Sequence, residues 1–205
     1  PRLAFGLGQS RWGYVNQNDI KRCADAYHEA GIPLDMIYLD IDYMEDFKDF
    51  TVNKERFPDL KGLAAEMKEC GIRLIPIIDA AVKKLDGYSV YDEGHEKGYF
   101  CKDKDGEDFV VGVWPGKSVL PDFLDPKASR WFGMQYKALT DLGIEGFWND
   151  MNEPAIFYSE KALDNSIKEL SKLDASSLDP MHFFGVRESL GRLANSKEDY
   201  DSFYH

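Results

Sequence analysis

The densest concentration of chemistry in the sequence is Gly146-Phe147-Trp148-Asn149-Asp150-Met151-Asn152-Glu153-Pro154. Two carboxylates and two amides stand here at the end of an apolar run, next to a tryptophan. Burying that many polar groups is costly unless they have partners or a purpose. A second cluster, Asp40-Ile41-Asp42-Tyr43-Met44, follows another apolar run, and Asp79 closes a third. Taken alone, each is also compatible with a helix N-cap or a solvated loop. Their coincidence favours chemistry, because three successive apolar segments each deliver an aspartate. Carboxylates and aromatics together suit carbohydrate. Carboxylates grip sugar hydroxyls bidentately, and the apolar C–H faces of a sugar stack on Trp and Tyr. Trp12, Tyr14, Trp114, Phe123, Trp148 and Phe157 all fall near predicted strand ends, although core packing accounts for most of the 11 Tyr and 13 Phe. Breaking a glycosidic bond takes two carboxyl groups, one acting on the anomeric carbon and one on the leaving oxygen.

The elements that must position these residues follow one repeated punctuation. An amphipathic helix ends at Gly, Ile follows within a residue or so, and an apolar strand then ends in Asp. The first helix is expected over 18–30, with Ile20, Cys23, Ala24 and Tyr27 on one face. Gly31 supplies the left-handed residue that ends it and Pro33 forbids continuation. A strand over 35–40 follows and delivers Asp40. The second helix, over 59–70, puts Leu60, Leu63, Ala64 and Met67 on one face. Gly71 and a strand over 72–79 lead to Asp79. The third starts with Asp125 as N-cap and Pro126 at the first helical position. Its stripe runs Ala128, Trp131, Phe132, Gln135, Leu139 and Leu142, and after Gly143 a strand over 144–150 carries Asp150. Residues 3–7 form a further candidate strand at the front.

Strands alternating with helices imply βαβ units and a parallel sheet. An open doubly wound sheet and a (β/α)8 TIM barrel both fit that alternation. The barrel is favoured because Asp40, Asp79 and Asp150 all lie at strand C-termini, where barrel active sites are built. A full barrel needs about 250 residues, so the 205 residues here are expected to hold only the first four or so βα units of a partial catalytic domain. Two insertions interrupt them. One, over 80–124, carries strands at 99–102 and 109–114 joined by a turn at 103–107. The Asp-x-Asp-Gly of that turn resembles a calcium loop only faintly, since Gly and Glu are missing at the required positions, and a plain hairpin turn is favoured. The other, over 158–205, is polar and helical, with helices at 161–173 and 186–194.

Composition narrows the class further. With 37 acids against 25 bases the chain carries a net charge of −12, which repels phosphate backbones and anionic membrane surfaces. Nucleic-acid and membrane partners are therefore not expected. No apolar run approaches the roughly 18 residues of a bilayer span. Residues 1–5 do not read as a secretory signal. Three scattered cysteines, Cys23, Cys70 and Cys101, read as free thiols and favour a cytoplasmic location. His28, His95, His182 and His205 have no metal-ligand spacing. Neither a metal nor a cofactor is implied.

The quoted segments resemble family 31 glycoside hydrolases, the α-glucosidases. The resemblance rests on Asp40-Ile41-Asp42-Tyr43-Met44, Val113-Trp114-Pro115-Gly116 and Phe147-Trp148-Asn149-Asp150-Met151-Asn152-Glu153-Pro154, with Arg11-Trp12-Gly13-Tyr14 and Pro121-Asp122-Phe123 in support. It runs in order from residue 1 to about 160, and Phe203-Tyr204-His205 resembles the lead-in to the next family motif. It implies a retaining α-glucosidase on a (β/α)8 barrel, acting on oligosaccharides of the maltose or isomaltose type. Asp150 matches the catalytic nucleophile, which forms a covalent glycosyl-enzyme. Asp40 and Ile41 match the glucose subsite, with Asp40 gripping hydroxyls. Ile77, Trp114, Trp148, Met151 and Phe157 match its apolar and aromatic walls. Trp12 stands where many relatives carry Tyr, so the exit side for the aglycone is expected to differ and to favour α-1,6 over α-1,4 links. The family's acid/base aspartate and a subsite histidine follow a later strand, so the chain alone is expected to be inactive.

Two other assignments stay open at this point. Asn152-Glu153 matches the Asn-Glu pair of β-glycosidases from another barrel clan, in which Glu153 would be the general acid; Asp150-Met151 and the Asp40–Met44 segment argue against it. A non-catalytic sugar-binding piece is the second, since half a barrel leaves two open edges for self-association or for pairing with the missing half. A dinucleotide site at Gly6-Leu7-Gly8 is set aside, because Arg11 occupies the place of the third glycine.

Overall fold

The computed structural model describes residues 3–153, 155–171 and 184. In chain order the strands are β1 (Gly8–Gln9), β2 (Met36–Leu39), β3 (Arg73–Asp79), β4 (Val82–Lys83), β5 (Val110–Val113), β6 (Gly116–Val119), β7 (Trp148–Asp150) and β8 (Tyr158–Ser159). The helices are α1 (Gln17–Glu29), α2 (Leu60–Glu69), α3 (Ser89–Glu96), α4 (Pro126–Gln135), α5 (Lys137–Thr140) and α6 (Glu160–Ser171). The chain divides into two compact units, one of Pro1–Ala80 with Arg130–Asn152 and one of Ala81–Ser129 with Glu153–His205.

The first unit holds a parallel sheet in the order β1-β2-β3-β7, the arrangement of a partial (β/α) barrel. Its strands are apolar because a parallel sheet has both faces covered. In β3, Leu74, Ile75, Pro76, Ile77, Ile78 and Asp79 are all buried, each large aliphatic stabilising by roughly 1.5–3 kcal/mol. Pro76 pairs with Leu39 at the last β2 register position, and β7 pairing begins one residue later at Ile77↔Trp148. The proline therefore falls at the seam between two ladders, where a missing N–H is tolerated.

The helices form where their caps and faces dictate. Asn16 accepts from the backbone N–H groups of Asn18 and Asp19, while Asp19 reaches back to the Asn16 N–H, a reciprocal capping box that starts α1. Ile20 and Ala24 are the residues α1 buries. Asp59 caps α2, which buries Leu60, Leu63, Ala64 and Met67. Gly31 at φ 66° and Gly71 at φ 82° occupy the left-handed positions that end the two helices.

Several boundaries differ from the sequence expectation. The front strand over 3–7 does not form. Leu3–Phe5 is a 3-10 turn, and the backbone carbonyl of Leu7 accepts from Asp35 and Met36, so pairing starts only at Gly8. The last strand is paired only over Trp148–Asp150 instead of 144–150. The long third helix is broken at Tyr136 into α4 and α5, although its stripe is buried as expected at Ala128, Trp131, Phe132 and Leu139.

The second unit holds an antiparallel sheet in the order β4-β6-β5-β8 around a core of Ala81, Phe109, Val111, Val113 and Leu120. Here the expected hairpin forms in part. Across the turn at 103–107 Lys102 bridges Asp108 and the Phe109 N–H donates to the Cys101 carbonyl at 2.8 Å, but 99–102 forms no strand, and the β5 ladder runs instead to β6 through the tight turn at Trp114-Pro115. The turn at 103–107 closes on itself: Asp103 Oδ1 accepts from the N–H groups of Asp105 (2.8 Å) and Glu107 (3.1 Å). α3 is a helix that hydrophobic periodicity did not flag; it has no side-chain cap at Tyr88. The helix expected over 186–194 and the motif at 203–205 lie outside the described residues. Among the described residues no helix is long and apolar enough to cross a membrane.

Candidate active site

Residues two apart on a strand share a face. Ile77 and Asp79 on β3 therefore point the same way, and their register partners on β7 are Trp148 and Asp150. On β2, Tyr38 is paired with Ile75, so Asp40, two residues further on, continues the same face. The contacts agree. The Tyr38 and Trp148 rings meet edge to face with centroids 6.0 Å apart. A Cβ added at Gly146 would come within 2.9 Å of Ile75 Cδ1. Three adjacent parallel strands thus bring Asp40, Asp79 and Asp150 to one C-terminal rim, with Ile77 and Trp148 one layer below.

The rim is acidic and poorly compensated. Asp79 is 2% exposed, and its buried Oδ1 has no hydrogen-bond partner. Burial, then the charges of Asp150 and Asp40, push its carboxyl up to about 7. Asp40 is also raised, first by burial; the Ile41 N–H, which donates to Asp40 Oδ1 at 2.8 Å, partly offsets this, while Asp42 and Asp150 add to it. Ile41 itself is buried. Asp42 is spoken for by structure, since Arg56 lies 3.2 Å from its Oδ1.

Residues outside the sequence reading hold this rim in place. Asp49, 1% exposed, accepts the Asp79 backbone N–H at 3.0 Å, and its own carboxyl is raised by burial and by the Asp79 charge. Its neighbour Phe50 has φ 62° and packs edge to face on Phe132 and Tyr136, each at 5.2 Å. The Tyr136 hydroxyl donates to Asn149 Oδ1 at 2.6 Å, and its ring packs on Phe147. The buried Tyr43 hydroxyl donates to the Ile77 carbonyl at 2.8 Å. One short loop thus braces the end of β3, while Tyr136 braces the end of β7. Met151, directly after Asp150, has φ 58°, a left-handed conformation that is costly for a non-glycine residue and concentrates at functional sites. Burial betrays Asp49, and a hydrogen bond and ring contacts betray Tyr136. Neither sits in a recognisable motif or on a periodic stripe, so the sequence offered no signal for them.

The remaining candidates are placed as follows. Trp12 follows β1 in the first unit and is 72% exposed, its carbonyl accepting from Arg11 Nε at 3.2 Å. Trp114 and Phe157 belong to the second unit and meet each other edge to face at 5.2 Å. The β5–β6 turn carries Trp114, and the Phe157 N–H donates to the Gly112 carbonyl at 3.0 Å. Glu153 is exposed, beyond the end of β7. Tyr14 is buried and shares a hydrogen bond with Cys23 Sγ at 3.3 Å, which makes it a packing residue.

Acids at the C-terminal ends of adjacent parallel strands, over an apolar and aromatic layer, are the layout of a barrel enzyme's active face. Comparison with known proteins narrows this. The model of the glycosyl hydrolases family 31 TIM-barrel domain matches residues 1–196, and the chain belongs to that family. It is similar to alpha-glucosidase 2 of Bacillus thermoamyloliquefaciens, 46% identical over 164 residues that cover 80% of this chain and 21% of the relative. Neutral alpha-glucosidase C of Homo sapiens is 36% identical over 162 residues, covering 77% of this chain and 18% of the relative. Among solved structures, the glucosidase II alpha subunit bound to Glc1Man2 superposes with a TM-score of 0.72 at 35% identity, over 76% of this chain and 17% of that one. A family 31 dextranase of Flavobacterium johnsoniae complexed with glucose gives 0.70 at 28%, over 79% and 20%. The chain therefore spans about a fifth of the length of these relatives.

Proposed function

We propose that the protein to which this chain belongs is a retaining α-glucosidase and that Asp150 is its nucleophile. The nucleophile must be an ionised carboxylate held rigid at the anomeric carbon. Asp150 is suited to this: it lies within the β7 ladder, is registered to Asp79, and is half-buried on the rim. That register is the observation that carries the reading. The mechanism has two steps. Asp150 attacks the anomeric carbon as the glycosidic bond breaks, giving a glycosyl ester; water then cleaves the ester and restores the carboxylate.

Asp40 grips sugar hydroxyls, while Ile41, Ile77, Trp148 and Met151 wall the glucose. Trp114 and Phe157 offer an aromatic pair for stacking on a sugar's C–H face. The alpha-glucosidases among the relatives support an α-linked glucose substrate. The dextranase complexed with isomaltotriose supports α-1,6 links within its range. The acid that protonates the leaving oxygen comes from outside these 205 residues, so the isolated chain turns over no p-nitrophenyl α-glucoside.

The test is covalent trapping. A fluorinated glycosyl fluoride incubated with the complete enzyme should leave its label on the peptide containing Asp150, and on Asp150 within it. A label elsewhere would overturn the assignment. Catalysis lost on Glu153→Gln but retained on Asp150→Asn would favour the β-glycosidase-type reading, in which Glu153 is the acid.

A further inference from the structure

The mechanism leaves one buried rim acid without a task. Asp79 is paired in register with Asp150, shares its face, and is 2% exposed. Its Oδ1 is buried with no hydrogen-bond partner among the described residues. The charged groups that act on it are Asp150 from β7 and Asp40 from the end of β2, both acids. Beneath it lies Asp49, which takes the Asp79 N–H and is a third acid. Other acids of the first unit are handled differently. Asp42 has Arg56, and Glu145 on the approach to β7 has Lys68 and Arg73. Among the described residues the charges that act on Asp79 are both acidic, and a buried carboxylate so placed is among the costliest arrangements a fold can hold.

We propose that Asp79 is a positioning residue kept as the neutral acid, whose proton stays on the rim so that Asp150 alone carries the nucleophilic charge. The inference rests on Asp150 being the nucleophile. Two carboxyl groups sharing one site cannot both ionise cheaply, and the more buried one keeps the proton. Its raised affinity for a proton, with a midpoint at about 7, agrees with this assignment. As a neutral group Asp79 adds no further negative charge beside Asp150 and Asp40. It therefore leaves the Asp150 anion undisturbed before attack and again after hydrolysis, where an ionised Asp79 would repel it. No proton leaves Asp79 during turnover; its role is to hold one.

The experiment compares three forms of the complete enzyme across pH. Asparagine is nearly isosteric with the neutral acid and cannot ionise. Asp79→Asn should keep kcat/KM within a few-fold of wild type near pH 6. It should also lose the alkaline decline that ionisation of Asp79 imposes on the wild type at about pH 7. Asp79→Ala, which removes the buried side chain in register with Asp150 and lets the end of the strand shift, should fall by about a hundredfold. A dead Asp79→Asn enzyme that is folded by circular dichroism would overturn the proposal, as would an unchanged alkaline limb. Infrared difference spectra of the Asp49→Asn enzyme across pH, in which Asp49 no longer contributes, give an independent reading. A protonated-carboxyl band should be present near pH 6 and absent well above pH 7; its absence at both overturns the proposal even if Asp79→Asn does not fold. The trapping experiment separates the two failures. A label on Asp150 with a dead Asp79→Asn enzyme removes only this inference, whereas a label elsewhere removes the nucleophile assignment beneath it.

Discussion

Asp79 and Asp150 stand directly opposite each other at the C-terminal ends of neighbouring parallel strands, the last pair in a ladder that begins with Ile77 and Trp148. Nothing in the packing of the sheet requires acids there. A pair of valines would close the ladder with less cost, since like charges directly opposite each other on a sheet are destabilising. The two aspartates are a local conflict between stability and chemistry, and such conflicts are where functional sites are expected.

That conflict has a pH signature. The folded-state pKa of Asp79 is raised from 3.8 to about 7, so the folded state holds a proton that the unfolded chain has released across this interval. Stability therefore falls as pH rises from about 4 to about 7, at up to about 1.4 kcal/mol per unit. Asp49 acts in the same direction. Urea unfolding of Asp79→Asn measured at pH 4.5 and pH 7 should show a smaller loss between the two than wild type does. Parallel losses in the two proteins would mean that Asp79 ionises freely.

Asp40 should act on substrate more than on fold. It is partly exposed, and within the protein it accepts only the Ile41 N–H among the bonds of the described residues. Hydrogen bonds from sugar hydroxyls to a carboxylate contribute roughly 1.5–3 kcal/mol each. In the complete enzyme Asp40→Ala should thus lower kcat/KM by about ten- to a hundredfold, with little change in melting temperature. A deoxy sugar lacking the gripped hydroxyl checks the assignment. It should lose activity on wild type and little more on the variant, and additive losses would place Asp40 away from that hydroxyl.

How much of this was readable beforehand differs by element. The strand–Asp pattern at Asp40, Asp79 and Asp150 was legible because period, punctuation and polarity agree there. α1 and α2 were legible because their caps, faces and glycine stops all point the same way. The front strand was not. Leu3–Leu7 has an apolar look, but pairing depends on where Asp35 and Met36 bond to Leu7, a tertiary fact. The β5–β6 pairing is not legible, because Trp114-Pro115-Gly116 serves as a tight turn while its residue types point first to binding. Asp49 was invisible for a plainer reason. In the charged stretch Glu45-Asp46-Phe47-Lys48-Asp49 nothing marks which acid the fold buries.

The second unit supplies a steric prediction. A Cβ at Gly112 would fall 2.2 Å from the ring of Tyr158, which β8 lays across β5. The ring must swing aside or β8 must shift to admit a methyl there. Gly112→Ala should therefore cost about 1–3 kcal/mol and push β8 away. Phe157 is tied to Gly112 through its N–H, so the Trp114–Phe157 pair should loosen with it. Denaturant unfolding together with a solvent shift in tryptophan fluorescence reports both effects. A variant of wild-type stability would show that β8 does not pack on Gly112 as described.

We expect linkage preference to turn on Trp12. It follows β1 at the C-terminal side of the first unit and presents an indole that is 72% exposed, although burying so large an apolar ring would be favourable. So exposed a tryptophan, following a strand whose neighbours end in the rim acids, is open to a ligand. An indole covers more of a sugar face than a phenol and lacks the hydroxyl that a tyrosine would offer to a sugar. An α-1,6 link adds a rotatable bond and carries the aglycone further from the glucose than an α-1,4 link does, which a broad stacking surface accommodates. In the complete enzyme Trp12→Tyr should lower kcat/KM for isomaltose more than for maltose. The expected change in their ratio is about ten- to a hundredfold, the range one aromatic contact supplies. The comparison is best made as a ratio within each enzyme, because any general loss of folding cancels from it. An unchanged ratio would leave Trp12 a surface residue, and the origin of linkage preference would then have to be sought on another strand's loop.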